Sequence, residues 1–301
     1  MRFWLLLLVL GAGWGLTQPF SKLVVSAGYH GFGIIFWQSV IGILLLAGLS
    51  LARGKRLPLG RAQIHVYVII AVLGTVVPNL VSYTTYRFLD AGIMSILISM
   101  VPIFAFPIAL LMGNDQMKLL RLAGLLIGFT GAMFLILPGQ AAIGQVSVLW
   151  VLVGLIPSLL YAFEGNWVAR FGTAGLDPMQ VIFGASIVGA LVSGPLALMN
   201  ATWINPLTPW GVPDYALVAS SVIHTIVYAS YVWLLGAAGP VFTVQVGYVV
   251  TLSGVFWARL LLGESYSGWV WAALVLVLTG VFLVQPKPKL ALVPDGAEGQ
   301  N

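Results

Sequence analysis

A single acidic residue, Glu164, lies inside an apolar stretch long enough to be a membrane-spanning helix, LLYAFEGNWVAR (159–170). Residues three apart share a face of a helix, so Glu164 is expected beside Tyr161. If the helix ends near Arg170, Glu164 lies six residues inside it, which is about 9 Å at 1.5 Å per residue. An ionised carboxylate deep in a span costs about 2.5–3.5 kcal/mol on insertion scales, so its presence there needs an explanation.

Three roles for Glu164 stay open from the sequence. Its carboxylate can bind a positively charged group of a ligand, it can bind and release a proton, or it can form a structural ion pair with a basic residue such as Arg170. The six-residue offset puts Arg170 on a poorly matched face of the same helix, so that ion pair would need a bent side chain or a cation from another helix. Glu164 is therefore the best single site candidate.

Two other predicted helices carry one shared pattern, an amide or imidazole followed by two tyrosines. The two trios are Asn79, Tyr83 and Tyr86, and His224, Tyr228 and Tyr231. Steps of four and three residues put each trio on one helix face, so the two faces can form the walls of a central cavity. Tyr83 and Tyr228 are expected in that cavity, whereas Tyr86 and Tyr231 lie near helix ends and are expected in the interfacial aromatic belt. His224 is a candidate for the cavity wall together with its trio, and its imidazole is expected to pack against other side chains rather than to carry a proton.

The first predicted helix has a polar stripe at positions i, i+3, i+4 and i+7. Its residues are Trp14, Thr17, Gln18 and Ser21. A polar stripe in a span faces other helices or water, so it either lines the cavity or joins helices by small polar contacts. Gln245 and Tyr248, three residues apart in another apolar run, can add to the same cavity.

These side chains need a scaffold of membrane-spanning helices. The chain has 301 residues, of which 60% are hydrophobic and 7% are charged, whereas soluble domains carry about 25% charged residues. The apolar runs lack the period-two alternation of membrane-barrel strands, so the predicted class is an all-α polytopic membrane protein. Ten spans are predicted, at 3–25, 31–51, 65–87, 91–112, 119–138, 147–169, 179–199, 215–236, 240–262 and 268–285.

Basic residues predict the orientation of these spans. Ten spans put both termini on one side, and ten of the 13 Lys and Arg residues then fall on that side. The sequence therefore predicts cytoplasmic N- and C-termini. The net charge of +5 follows from this loop bias and indicates no nucleic-acid partner. The chain has no cysteine, which excludes disulfides and thiolate metal sites, and no cofactor is expected.

The sequence also repeats itself. GNDQMKLLRLAGLLIGFTGAMFLILP (113–138) resembles GESYSGWVWAALVLVLTGVFLVQP (263–286), about 149 residues later. Each half holds five spans, and an odd number makes the second half enter the membrane from the opposite side. The predicted parts are a first repeat at 1–138, a linker at 139–146, an inverted second repeat at 147–286 and a disordered tail at 287–301.

The halves resemble two EamA domains of the drug/metabolite transporter superfamily. The matching segments are WGLTQPFSK (14–22), LDAGIMSILISMVPIFAFPIALLMGND (89–115) and AAGPVFTVQVGYVVTLSGVFWARLLLGES (237–265). The resemblance covers the chain up to Pro286 and implies a ten-helix fold that exports or takes up small metabolites. One departure is that the second copy has Gly247 and Tyr248 near where the first has Pro102, so the halves are expected to bend differently.

A secondary transporter is the leading functional hypothesis, because the sequence has no G-x-x-x-x-G-K-[ST] phosphate loop to couple ATP hydrolysis to movement. An aromatic, partly polar cavity suits a small amphipathic metabolite, with amino acids first and organic cations as the alternative. The expected partners are this substrate, the lipid bilayer and a coupling proton, for a monomer in the bacterial plasma (inner) membrane. The rival class, an intramembrane serine hydrolase, would use Ser186 and His224, but no oxyanion element is recognisable and the repeat has no role in it.

Overall fold

A computed structural model describes residues 2–136, 148–243 and 245–285. The predicted linker (139–146) and tail (287–301) lie outside these residues. The described part is helical, without strands, and its ten long elements match the ten predicted spans to within a few residues. They are α1 (Arg2–Ser26), α2 (Gly31–Ala52), α3 (Arg61–Thr85), α4 (Ala91–Leu111), α5 (Leu119–Phe134), α6 (Val148–Phe171), α7 (Pro178–Met199), α8 (Val212–Ala238), α9 (Val246–Leu262) and α10 (Gly268–Val284).

Length and composition of these helices fit a bilayer. Seven of the helices in the described residues are long and apolar enough to cross a membrane. The other three, α5, α9 and α10, are apolar and have 16 or 17 residues, near the lower limit of about 17 for a span. The all-α polytopic membrane fold predicted from composition is confirmed.

The helix contacts form a paired pattern. Helix α1 packs against α8 and α9, and α6 packs against α3 and α4. Three further pairs join α2 to α7, α4 to α9 and α5 to α10. Each of these contacts has a counterpart between the helices five places along the chain: the contact of α1 with α8, for example, corresponds to that of α6 with α3.

Glycines allow the closest of these pairs to form. A Cβ atom at Gly15 of α1 would lie 2.7 Å from the backbone nitrogen of Gly254 in α9. A Cβ atom at Gly280 of α10 would lie 2.6 Å from the carbonyl oxygen of Gly124 in α5. Side chains at these positions would force the helices apart, so the glycines set the backbone separation, as small residues do in membrane helix pairs.

Three helices are interrupted near prolines. In α3, residues Ala71–Val76 form a π-helix, where the Val77 N–H bonds to the Val72 carbonyl five residues earlier. Pro78 follows, and because proline has no N–H it cannot bond to the carbonyl of Gly74 as an α-helix would require. Helix α4 has two parts, Ala91–Ile98 and Val101–Leu111, with Pro102 in the first turn of the second part.

The counterpart of α4 in the second half is also interrupted. A short helix, Pro240–Thr243, precedes α9, which begins at Val246. The first part has eight residues in α4 and four in its counterpart, so the interruptions fall at different positions, in agreement with the expected difference in bending. Interrupted helices leave backbone groups free, and in membrane proteins these are tolerated where they line a cavity or are buried in protein.

The two ends of the bundle are held by different polar contacts. At the end defined by loops 53–60, 112–118 and 172–177, here called the basic end, Arg53 and Lys55 both pair with Asp177, at 3.2 and 2.6 Å. At the opposite end, the Glu264 carboxylate accepts hydrogen bonds from the backbone N–H groups of Ala91 and Gly92, at 2.8 and 3.1 Å. These contacts join loops of the first half to loops of the second.

Candidate functional site

Glu164 projects from α6 onto the π-helical part of α3. A Cβ atom at Gly74 would lie 2.6 Å from the carboxylate carbon of Glu164, so the missing side chain makes the room that the carboxylate occupies. The ion pairs in the described residues join Asp177 to Arg53 and Lys55 and Asp115 to Arg121. Glu164 is in none of them, so the structure does not show the ion pair with Arg170, which was one of the three roles left open by the sequence.

Hydrogen bonds between tyrosines and amides join the helices near Glu164. The Tyr161 hydroxyl donates to Asn79 Oδ1 at 3.3 Å, which joins α6 to α3. The Tyr83 hydroxyl donates to Gln38 Oε1 of α2 at 2.6 Å, and Tyr83 is only 5% exposed. Tyr161 and Tyr83 are also within electrostatic range of each other. Three of the predicted site residues are thus brought together.

Gln38 is a member of this group that sequence reasoning missed. It is an amide in the middle of an otherwise apolar span, FWQSVIG (36–42). A hydrogen-bonding side chain inside a span needs a partner in another helix. That signal was present in the sequence.

The polar stripe of α1 faces the interior, and two of its residues form hydrogen bonds with other helices. The Tyr86 hydroxyl donates to Gln18 Oε1, whereas Thr17 and Ser21 bond to carbonyls of their own helix. Tyr86 is 2% exposed. The placement of Tyr86 in an interfacial belt is therefore wrong, because its hydroxyl is bonded inside the protein rather than at the membrane surface.

Trp14 connects the stripe to α8. Its indole N–H donates to His224 Nδ1 at 2.9 Å, and its ring lies edge-on to Tyr228 and Tyr231, with centroids 6.2 and 5.7 Å apart. Tyr231 therefore packs against Trp14 instead of standing alone at the interface. The side chain of His224 is exposed in the structure apart from this contact.

Glu164 connects the two groups. Its charge is within electrostatic range of Tyr161 on its own helix and of Tyr228 on α8. We call the whole set the central cluster. It consists of Trp14, Gln18, Gln38, Asn79, Tyr83, Tyr86, Tyr161, Glu164, His224 and Tyr228.

Two predicted site residues are not bonded to this cluster in the described part of the chain. Gln245 immediately precedes α9 and Tyr248 lies in its first turn. The Tyr248 ring packs against the main apolar core, and its hydroxyl is buried without a hydrogen-bond partner. Both lie at the interruption before α9, so their role as site residues stays a prediction.

Ser186 and His224, the pair that a serine hydrolase would use, are not joined by a hydrogen bond in the described residues. Nδ1 of His224 accepts the Trp14 hydrogen bond. Ser186 of α7 faces α2, where its hydroxyl lies 3.5 Å from the position of a Cβ atom on Gly42. Among the described residues, no group of His, Asp and Glu is arranged to hold a metal ion.

The central cluster has the chemistry of a small-molecule site. It combines amide and hydroxyl groups and several aromatic rings with one carboxylate, which forms no ion pair within the described part of the chain. Ligand sites in proteins are typically lined by apolar and aromatic side chains with a few polar groups that fix orientation. A positively charged group of a ligand can pair with the carboxylate and lie against the rings.

Known proteins resemble this chain along its whole length. The model of the "EamA-like transporter family" matches residues 2–137 and 148–285. The "Uncharacterized inner membrane transporter YedA" of Escherichia coli K12 is 26% identical, and the match covers 100% of both chains. The "Uncharacterized transporter YvbV" of Bacillus subtilis 168 is 23% identical over 95% of this chain and 92% of its own.

One solved structure, described only as "Crystal structure of protein", shares the fold. Its TM-score is 0.58 at 18% sequence identity, and the match covers 92% of this chain and 95% of the other. The family model covers both five-helix parts of the sequence, which is far more than half of the residues. The chain belongs to the EamA-like transporter family.

Proposed function

We propose that this protein is a secondary transporter that moves small amphipathic metabolites, amino acids first among them, out of the cell across the inner membrane. The family and the relatives named as transporters support the general activity. The inner-membrane location draws support from the relative of Escherichia coli. The substrate class and the direction are inferences from the chemistry of the central cluster and from the family resemblance.

One observation carries the substrate proposal: the Glu164 carboxylate has no cationic partner among the described residues, and it lies where groups from both halves of the chain meet. Gly74 and Asn79 come from α3 in the first half, whereas Glu164 and Tyr161 come from α6 in the second. A polar site at the contact between two halves changes shape when the halves move relative to each other. Such a location is typical of transporters that are built from repeats.

Alternating access by two inverted halves is the proposed mechanism. Two features support it, the odd number of spans in each half and the contact pattern that maps onto itself when the halves are exchanged. Polar contacts hold loops of the two halves together at both ends of the bundle. In the mechanism, one set of these contacts opens while the other stays closed.

Glu164 and the tyrosines have separate tasks in this mechanism. The carboxylate pairs with the amino group of the substrate or exchanges a proton when the substrate leaves. The hydroxyls and rings of Tyr161, Tyr83 and Tyr228 hold the rest of the molecule. Trp14 and His224 form the wall on the α1 and α8 side.

An organic cation is the second candidate substrate. The observation that favours it is that the Glu164 charge is within electrostatic range of two tyrosines, Tyr161 and Tyr228. Aromatic faces beside a carboxylate bind cations that have no carboxylate of their own. A monovalent lipophilic cation therefore belongs in the same assay.

The test is flux into proteoliposomes with and without an imposed pH gradient. Labelled phenylalanine, tryptophan, leucine and tetraphenylphosphonium are the substrates, and the proteins are the parent, Glu164→Gln and Glu164→Asp. We expect saturable phenylalanine flux that follows the pH gradient in the parent. Glu164→Gln should lose the gradient dependence because it cannot exchange a proton, and Glu164→Asp should retain part of it.

Other outcomes revise specific parts of the proposal. Saturable flux that ignores the pH gradient in the parent rejects proton exchange and leaves Glu164 with substrate binding. Flux of tetraphenylphosphonium without flux of any amino acid replaces the first candidate with the second. Unchanged flux of every substrate in Glu164→Gln rejects the role of the carboxylate altogether.

A further inference from the structure

A cavity of about 290 Å³ lies at the opposite end of the bundle from the basic end. It is lined by His30, Gly31, Phe32, Leu80, Tyr83, Thr84, Arg87, Asn200 and Thr202. These residues come from the start of α2, the end of α3 and the segment after α7. None of them is acidic, and one of them is an arginine.

The Arg87 guanidinium is the charged group of this cavity. It bonds to His30 Nδ1 at 2.5 Å and to the backbone carbonyl of Tyr29 at 3.5 Å. It takes part in none of the ion pairs found in the described residues. A guanidinium has five N–H donors in a planar fork, so these contacts leave donors and an uncompensated positive charge beside the cavity.

His30 adds a donor without adding a charge. Because a guanidinium only donates, the contact with Arg87 requires Nδ1 of His30 to accept, and the ring proton must then be on Nε2. Burial lowers the pKa of His30, and the positive charge of Arg87 lowers it further, so the ring is neutral at neutral pH. The N–H at Nε2 remains as a donor of a cavity-lining residue.

The rest of the lining suits an anion that is attached to an apolar group. His30 precedes α2 without capping it by its side chain, so the His30 side chain accepts from none of the first backbone N–H groups of this 22-residue helix. Gly31 in its first turn lines the cavity. Phe32 and Leu80 provide apolar surface next to these donors.

We propose that this cavity binds the carboxylate of an amphipathic substrate, with Arg87 as the pairing residue and His30 as an added donor. The identification of that carboxylate as part of the transported molecule rests on the proposed function. Tyr83 lines this cavity and also donates to Gln38 in the central cluster. Tyr83 therefore lies between the two sites. In this proposal the cavity is a second binding site for the same substrate, nearer the end of the bundle opposite the basic end.

Equilibrium dialysis with two simple probes separates this site from the central cluster. The probes are 3-phenylpropionate, which has a carboxylate and no amine, and phenethylamine, which has an amine and no carboxylate. The full-length protein is held in phosphatidylcholine nanodiscs. Arg87→Gln is compared with Arg259→Gln, which removes an exposed arginine from the last turn of α9 at the same end of the bundle, outside the cavity lining.

Arg87→Gln should weaken 3-phenylpropionate binding by about tenfold or more, because a hydrogen-bonded charge pair is lost. Phenethylamine binding should stay within about twofold of the parent, as should both probes in Arg259→Gln. Arg87→Lys should restore part of the affinity, since lysine keeps the charge but not the planar fork. Equal losses in both Gln variants, or no binding of 3-phenylpropionate to the parent, overturn the proposal.

Two further experiments distinguish a substrate site from a lipid site and test the cavity separately from the proposed function. If phosphatidylglycerol in the nanodiscs displaces 3-phenylpropionate, a lipid phosphate occupies the site and the substrate assignment is overturned. The flux assay tests the proposed function independently of this cavity. Arg87-dependent binding without amino acid flux supports the cavity and rejects that function, whereas flux with Arg87-independent binding rejects the cavity alone.

Discussion

Gly74 is the residue on which the position of the Glu164 carboxylate depends most directly. The Gly74→Ala substitution places a Cβ atom 2.6 Å from the carboxylate carbon, which is closer than carbon atoms can pack, so the carboxylate must move. We expect the dissociation constant for phenylalanine to rise about tenfold, which corresponds to the loss of one hydrogen bond to a charged group. Equilibrium binding to the purified protein measures this change.

A glycine in open space provides the control for this prediction. A Cβ atom at Gly48 of α2 would have no neighbour within 4 Å, so Gly48→Ala should leave binding unchanged. Both substitutions favour helix by about 0.5–1 kcal/mol, and neither should lower the melting temperature through the backbone. Equal affinity in the Gly74 and Gly48 variants would show that the carboxylate does not act from the position described.

Sequence reasoning at the scale of residues identified groups but not their partners. Glu164, Tyr83 and Trp14 stood out because each is a polar or amphipathic side chain in an apolar span. Whether Glu164 meets Arg170 or Gly74 depends on the rotation and depth of two helices from different halves. The rotation and depth of a helix depend on its contacts with residues far away in the chain. A single sequence shows no local pattern from which those contacts can be read.

At the scale of elements, Asp177 connects the start of α7 to the basic loop before α3. Its carboxylate accepts from the Gln180 N–H at 3.0 Å, and its own N–H donates to Gln180 Oε1 at 3.0 Å, which forms a capping box. The same carboxylate pairs with Lys55 and Arg53. Two substitutions separate these contributions.

We expect Asp177→Asn to keep the cap and lose the charge pairing, which costs about 0.5–1 kcal/mol because Arg53 and Lys55 are both partly exposed. Asp177→Ala should lose the cap as well, at about 1 kcal/mol more. In thermal unfolding of the purified protein at neutral pH, the melting temperature should be highest for the parent, lower for Asp177→Asn and lowest for Asp177→Ala. A variant with Ala that is as stable as the variant with Asn would show that the capping box does not contribute.

The contribution of the charge pairing should depend on pH. Partial burial raises the pKa of Asp177, but the Lys55 hydrogen bond, the Gln180 backbone N–H and the charges of Arg53 and Lys55 outweigh it, so the pKa lies below the ordinary value of 3.8. A lowered folded-state pKa means that the stabilisation is fully present above the unfolded pKa and is lost as the pH falls through the folded pKa. The stability difference between the parent and Asp177→Asn should therefore be constant near neutral pH and shrink below about pH 3.8.

The positions of the helices were predictable, but their interruptions were not. About 20 apolar residues are needed to cross a bilayer, and this requirement marks each span locally in the sequence. The π-helix in α3 was missed because a change of register by one residue leaves the apolar pattern almost intact. Gly74 and Pro78 in that span were the available signal, since proline removes a helix N–H and π-helical turns often occur at functional sites.

At the scale of the whole molecule, the repeat relates the contacts of the two halves. Helices α5 and α10 pair through glycines, as do α1 and α9, and the pairs α1–α8 and α3–α6 carry the central cluster. If the halves are inverted copies, exchanging the geometries of these last two pairs converts an inward-open form to an outward-open one. The orientation of the helices in the membrane is therefore the property that this mechanism needs first.

Two exposed leucines allow a direct test of that orientation. Leu59 is 70% exposed in the loop between α2 and α3, and Leu207 is 90% exposed in the loop between α7 and α8. The chain has no native cysteine, so Leu59→Cys and Leu207→Cys each introduce one labelling site. Five helices, an odd number, separate the two loops, so the two sites should lie on opposite sides of the membrane.

A membrane-impermeant maleimide in right-side-out vesicles distinguishes the two orientations. We expect the Leu207→Cys protein to be labelled in intact vesicles and the Leu59→Cys protein only after lysis, because Arg53, Lys55 and Arg56 flank Leu59 and basic loops stay in the cytoplasm. The reverse result would place the termini outside and leave the inversion intact. Labelling of both proteins in intact vesicles would mean an even number of spans between the loops, and two inverted five-helix halves would then be impossible.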